Sequence, residues 1–237
     1  MVSHIEENQL LAALPHDARE RLVPQLRLVE LPMGKVIYEP GQTISHAYFP
    51  TDCIVSLLHV TLDGHSAEVS VVGCEGVIGV SAFMGGVSTT SRAVLQSSGS
   101  AYRLPAADLK REFENDTSVR MLLLRYTQAL ITQMAQTAVC NRHHTTDQQL
   151  CRWLLLSLDR LRTNELTMTQ ELIANMLGVR RESVTDAATK LQNLGVIRYQ
   201  RGHITVIDRP KMEELCCECY AVAKRESDRL ASYVEAV

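Results

Sequence analysis

Leu166-Thr-Met-Thr-Gln-Glu-Leu-Ile-Ala-Asn-Met-Leu-Gly-Val-Arg-Arg-Glu-Ser-Val-Thr-Asp-Ala-Ala-Thr-Lys-Leu191 is a stretch that reads as two short amphipathic helices joined at a glycine. Thr167, followed three residues later by Gln170, fits a capping box that starts the first helix. Leu172, Ile173, Met176 and Leu177 supply its apolar face, and Ala174 is small enough for a close helix crossing. Gly178 permits the left-handed turn that ends it. A second helix starts near Arg180. Val184, Ala188 and Leu191 recur at spacings of four and three, so they share one buried face, and Gly195 closes the helix.

The other face of the second helix opens with Arg180, Arg181, Glu182, Ser183, Thr185 and Asp186. A polar helix N-terminus of this kind suits insertion into the major groove of duplex DNA. There arginine pairs bidentately with guanine and glutamate accepts from the cytosine amino group. Thr169 and Gln170, at the start of the first helix, are placed to donate to phosphate. Downstream, Val196–Tyr199 and Ile204–Ile207 flank Gln200-Arg201-Gly202-His203, a hairpin with a basic tip. This wing brings Arg201 and His203 toward a phosphate backbone. From Leu166 to Pro210 there are six Lys/Arg against four Asp/Glu, whereas the whole chain carries a formal charge of −3. A mildly basic module therefore sits on an acidic body.

Upstream, Thr117 to about Asn141 holds no glycine or proline and predicts one long helix. Leu124, Ile131 and Ala138 recur every seven residues, and Thr127, Met134 and Asn141 follow each by three. This is an imperfect heptad seam suited to a dimer. Asn141–Thr146 reads as a hinge, and Asp147 to about Leu161 is again helical. Further upstream the texture changes. VIYEPG, HAYFP, IVSLLHV, AEVSVVG, GVIGV, AVLQSSG and AYRLP, between about Leu28 and Leu104, read as short strands punctuated by glycines. Asp63-Gly64 marks a hairpin turn. Close-spaced short strands suggest a roll or barrel. Before them, Glu6–Val23 reads as one or two short helices broken near Pro15.

The ordered motif T-Q-E-x-I-A-x-x-L-G-V-x-R-E-S-V, then K-L-x-x-L-G-V-I, resembles the helix-turn-helix of the Crp/Fnr regulators. The resemblance extends over the chain in order: glycine-rich roll, long helix, hinge and winged module. It implies an α+β fold with an N-terminal β-roll sensor (double-stranded, jelly-roll-like), a long dimerisation helix and a C-terminal winged helix-turn-helix. The expected divisions are 1–116, 117–145, 146–212 and a helical extension 213–237. It also implies a homodimer reading a near-palindromic duplex site through two recognition helices at 180–194, with RNA polymerase as a further partner. The family's base-reading Arg-Glu pair falls on Arg181 and Glu182. Its later arginine falls on Asp186, a poor neighbour for phosphate.

In cyclic-nucleotide binders of this kind, a Gly-Glu-Leu segment and a later Arg-Ser/Thr pair hold ribose and phosphate. The corresponding residues here are Gly79-Val80-Ser81 and Ser91-Arg92. Val80 cannot accept a hydrogen bond from a ribose hydroxyl, and a buried hydroxyl left unpaired costs about 1–3 kcal/mol. The expected effector is therefore something other than ordinary cyclic AMP, and no cofactor is assigned.

Seven cysteines follow no disulfide framework. An iron–sulfur centre is not expected, because no N-terminal cysteine cluster supplies four thiolates. Cys53, Cys74, His59 and His65 in the roll, and Cys140, His143, His144 and Cys151 near the hinge, are metal-ligand types at generic spacings, so no metal is assigned. Cys216, Cys217 and Cys219 crowd a C-terminal helix expected from Lys211 to about Val234 and are candidates for redox chemistry. No apolar run reaches the roughly 18 residues of a membrane span, and MVSHIEENQLL lacks a signal-peptide pattern, so the expected location is the cytoplasm. No Gly-x-Ser-x-Gly elbow, phosphate-binding loop or H-E-x-x-H is present, which argues against an enzyme. The competing class is a nucleotide-, metal- or redox-sensing module acting through protein contacts.

Overall fold

Short β-branched runs broken by turn glycines fold as two antiparallel sheets in the first half of the chain. The computed structural model describes residues 5–86, 88–161 and 163–235. The strands are β1 (Arg27–Leu31), β2 (Val36–Tyr38), β3 (His46–Pro50), β4 (Val55–Val60), β5 (Ser66–Val72), β6 (Arg92–Leu95) and β7 (Gly99–Pro105). One sheet has the order β1-β7-β3 and the other β2-β6-β4-β5. Leu31, Phe49 and Leu104 from the first sheet share a core with Val55, Val72 and Leu95 from the second. The expected hairpin joins β4 to β5. Thr61 N–H donates to the His65 carbonyl at 2.8 Å, and Gly64 takes φ +88°. The strand expected at Gly76–Val80 does not form. Ile78 makes only an isolated bridge to Tyr48, because Gly79 turns left-handed at φ +106° and Val80–Ala82 coils into a 3-10 turn.

Two short helices, α1 (Gln9–Ala12) and α2 (His16–Leu22), separate at Pro15 and bury Leu10, Leu11 and Leu22 in the roll core. After the roll come α3 (Ala106–Asn115) and α4 (Thr117–His143). Asp116 caps α4 by accepting from the Ser118 and Val119 amides. The helix runs further than the sequence suggested, so the hinge shortens to His144-Thr145. Thr145 closes it by forming a reciprocal capping box with Gln148 at the start of α5 (Thr146–Leu158).

The C-terminal module contains β8 (Glu165–Thr167), α6 (Gln170–Leu177), α7 (Arg181–Asn193), β9 (Ile197–Gln200) and β10 (His203–Val206), with sheet order β8-β10-β9. Thr167 is not the cap of α6. It pairs with His203 in the sheet, and Thr169 caps the helix by accepting from the Leu172 amide. The single C-terminal helix expected from Lys211 is two, α8 (Arg209–Leu215) and α9 (Glu218–Glu235), with Cys216 and Cys217 at the break.

The winged module is docked on the roll. Ile54, Leu58 and Val71 of the roll belong to the same apolar core as Leu154, Ile173, Val184 and Leu191. Buried polar groups cross this junction. Arg160 Nε donates to Glu75 Oε1 at 2.7 Å, and beside it Ser70 Oγ of the roll donates to Gln133 Oε1 of α4 at 2.9 Å. Glu68 lies here too, only 7% exposed. Burial pushes its carboxyl up to about 7, against the pull of Ser56, Arg152 and Arg160. Among the described residues, no helix is long and apolar enough to cross a membrane.

Candidate nucleic-acid interface

The second helix of the pair presents its polar first turn outward because its apolar residues are committed inward. Val184, Ala187, Ala188 and Leu191 are buried, while Arg180, Arg181 and Glu182 are exposed and Ser183 and Thr185 are partly so. Gly178 takes φ +67° between the helices, as the sequence required. Arg180 occupies the N-cap position of α7 and supplies no side-chain cap, so the positive helix end faces outward. Thr185 is held rather than free. Its hydroxyl donates to Gln170 Oε1 at 2.8 Å, so Gln170 and Thr185 brace one helix against the other.

Thr169, Gln170, Arg181, Tyr199 and Arg201 line an open cleft of about 460 Å³ between the helix pair and the wing. Tyr199 and Gln192 were not singled out by the sequence. Tyr199 Oη donates to the Met168 carbonyl at 2.8 Å, and its backbone N–H donates to Gln192 Oε1 at 2.9 Å. Together these bonds fix the wing against the helices, and burial raises the Tyr199 phenol. At the wing tip, Arg201 has φ +50° and Gly202 φ +82°. Two successive positive φ values define a type I′ turn, where Asn-Gly is the usual pair. An arginine is thus held at the tip in a conformation that costs a non-glycine residue about 1–3 kcal/mol. His203 lies beside it, exposed, with Nδ1 at 3.2 Å from Thr167 Oγ1.

Along α4, Leu124, Ile131 and Ala138 are exposed, with Ile131 52% accessible. Met121, Gln128 and Ala135 are exposed at the alternate spacings of the same stripe. Thr127 and Met134, expected on the seam, turn the other way. Thr127 is buried with its hydroxyl bonded to the Leu123 carbonyl, and Met134 packs against the roll core.

In the roll, Gly79, Val80 and Ser81 form the start of the 3-10 turn, and the Ser81 carbonyl accepts from the Gly86 amide. Ser91 is 3.1 Å from Thr89 through their hydroxyls. Arg92 is engaged bidentately by Glu39, at 2.8 Å and 2.7 Å. That pairing raises the guanidinium and lowers the carboxyl. The cation that would meet a phosphate therefore already holds a carboxylate.

Residues 28–116 match the cyclic nucleotide-binding domain, and residues 148–215 match the Crp-like helix-turn-helix domain. No curated protein sequence matches the chain. The fold is similar to that of a Crp/Fnr-family transcriptional regulator from Eubacterium rectale, with TM-score 0.70, 18% identity and coverage of 89% of this chain and 98% of that one. FixK2 from Bradyrhizobium japonicum gives TM-score 0.68 at 17% identity, covering 81% of this chain and 98% of its own. TTHB099, a CRP-family regulator from Thermus thermophilus, gives 0.67 at 17%, covering 79% and 95%.

Proposed function

The chain belongs to the Crp/Fnr family of transcription regulators, and from that premise we propose that it acts as a homodimer on a near-palindromic duplex site in the cytoplasm, with RNA polymerase as a further partner. The observation that carries the reading is the exposed, uncapped first turn of α7 beside the Arg201 wing tip, across one open cleft. In it, Arg180, Arg181, Glu182 and Ser183 meet base edges. Thr169, Gln170 and Arg201 meet the backbone, His203 assists from the wing, and Thr185 positions Gln170. Two such helices in a dimer would read half-sites about 34 Å apart. The exposed α4 stripe of Met121, Leu124, Gln128, Ile131, Ala135 and Ala138 has the alternating three- and four-residue spacing of a coiled-coil seam, which supports dimerisation through it.

The roll takes an effector other than ordinary cyclic AMP. Val80 supports this by offering no acceptor for ribose, and Arg92 supports it by being paired with Glu39. Selection of bound sequences from a random duplex pool, followed by titration over a range of salt, tests the proposal. A near-palindromic consensus bound with a steep inverse salt dependence is expected. Equal affinity for all sequences would overturn it.

A further inference from the structure

The break between α8 and α9 brings together residues far apart in the chain. Cys140 lies in the last turn of α4, and His144 follows it by four residues, on the same side. Cys217 ends the break, and Cys219 enters α9. The ligand atoms of Cys140, His144, Cys217 and Cys219 all lie within 4.8 Å of one another. Cys140 Sγ is 3.6 Å from Cys217 Sγ, and Cys219 Sγ is 3.6 Å from His144 Nδ1. Around a tetrahedral zinc ion, with Zn–S about 2.3 Å and Zn–N about 2.0 Å, neighbouring ligand atoms stand about 3.5–3.8 Å apart. The Cys140–Cys217 and Cys219–His144 separations match those edges, and the other pairs lie within about 1 Å of them.

We propose that Cys140, His144, Cys217 and Cys219 form a structural site for one Zn²⁺, which fastens the C-terminal extension to the end of the long helix. This goes beyond the DNA-binding reading and does not depend on it.

The surroundings are built for such a site. His144 offers Nδ1 inward, and its Nε2 lies 3.4 Å from Glu218 Oε1. A carboxylate on the outer nitrogen is the usual way a metal-bound histidine is oriented. Gln149 Nε2 donates to the His144 carbonyl at 3.0 Å and holds the backbone of the short hinge. Three thiolates around a divalent ion leave one net negative charge. Arg152, 4% exposed, supplies the matching positive charge. Its guanidinium donates to Thr137 Oγ1, one turn before Cys140 on α4, at 3.1 Å, and its Nε has no hydrogen-bond partner. On binding, the thiol protons leave to solvent, and no electron transfer is involved.

The test is Co²⁺ titration of the full chain after reduction and chelation, with elemental analysis of the protein as purified. We expect one zinc per chain as purified. The titration should give saturable binding of one Co²⁺, with strong tetrahedral ligand-field bands, thiolate-to-cobalt charge transfer and bleaching by added Zn²⁺. Cys217→Ser and Cys219→Ser should each weaken retention at least tenfold, while Cys74→Ser, outside the cluster, should leave it unchanged. Trp153 fluorescence and circular dichroism show whether each variant is folded. Chelation of the wild-type chain, reversed by Zn²⁺, gives a readout that needs no variant. A folded, reduced wild-type chain that takes up no Co²⁺ would overturn the proposal. So would octahedral spectra, bands that survive in Cys217→Ser, or a Cys140–Cys217 disulfide formed in place of metal uptake.

Discussion

Glu68 sits on β5 at the junction of roll and winged module, among Ser56 on β4, Trp153 and Arg152 on α5, and Arg160 just beyond it. Its carboxyl titrates at about 7 in the folded chain against 4.5 for an ordinary glutamate, and burial is the main cause. An acid whose folded value is raised holds its proton more tightly when folded than when unfolded. Its contribution is therefore fully present below pH 4.5 and is lost as pH rises toward 7. A shift of this size corresponds to about 3 kcal/mol, at about 1.4 kcal/mol per unit. The direction is opposite to that of a salt-bridged surface carboxylate, whose stabilisation is lost on acidification.

Glu68→Gln keeps the shape and removes the charge. Urea unfolding followed by emission of Trp153, the single tryptophan and a neighbour of Glu68, measures the difference directly. At pH 5 the two proteins should lie within about 1 kcal/mol. By pH 8 the glutamine variant should be the more stable by about 3 kcal/mol, which is a large fraction of a typical folding free energy. Subtracting the two pH profiles cancels histidines and other groups common to both. Parallel profiles, with a constant difference from pH 5 to pH 8, would refute the assignment of this titration to Glu68.

The remaining predictions concern the proposed interfaces and the fold. Arg181→Ala should relax base preference at one position and cost about 1–3 kcal/mol there, read by competition among single-base variants of the selected site; unchanged discrimination would remove Arg181 from the reading surface. Arg201→Asn suits the type I′ turn better, so stability should hold or rise by up to about 1 kcal/mol, while the salt slope of DNA binding drops by about one unit. A preserved slope would place Arg201 off the backbone. Ile131→Glu, at an exposed position on α4, should shift the chain toward monomer in sedimentation equilibrium and abolish the concentration dependence of its melting temperature. Gly76→Ala would set a methyl 2.5 Å from the Tyr126 ring, and the overpacking should cost about 1–3 kcal/mol in chemical denaturation.

Local chemistry made the helix pair legible in the sequence. Gly178, the apolar spacings of Val184, Ala188 and Leu191, and the polar start of α7 are decided within a few residues, and the structure repeats them. Errors arose where a distant partner chose between two local options. Thr167 and Thr169 are both competent caps, and pairing of Thr167 with His203 in the wing sheet leaves the role to Thr169. From Leu124 the next seam position is Thr127 or Gln128 by spacing alone. The roll takes Thr127 because its neighbours Tyr126 and Leu130 are drawn into the core, which turns Gln128 outward. The Cys140–Cys217 approach spans 77 residues and depends on a helix break at Cys216-Cys217, so neither cysteine stretch announces the other.

Those long-range choices bear on how the two modules are joined. The apolar part of the junction, Ile54, Leu58 and Val71 against the winged core, would by itself make a tight union. The same surface also buries Glu68, Ser56, Gln133, Arg152 and Arg160. Arg152 Nε there lacks a hydrogen-bond partner. Such a group costs about 1–3 kcal/mol relative to a satisfied one and regains water when the surfaces part. The junction is therefore weaker than its apolar contact alone would make it, and its strength depends on protonation at Glu68. At the far end of α4, the proposed zinc site would act in the opposite sense, strengthening the hold of α9 on the helix. Arg152 connects the two, since its guanidinium pulls on Glu68 and bonds Thr137, one turn before Cys140 on α4. Neutralising Arg152 as Arg152→Met should therefore weaken Zn²⁺ retention and raise the Glu68 titration further in the same protein, a paired change that loss of packing alone would not produce.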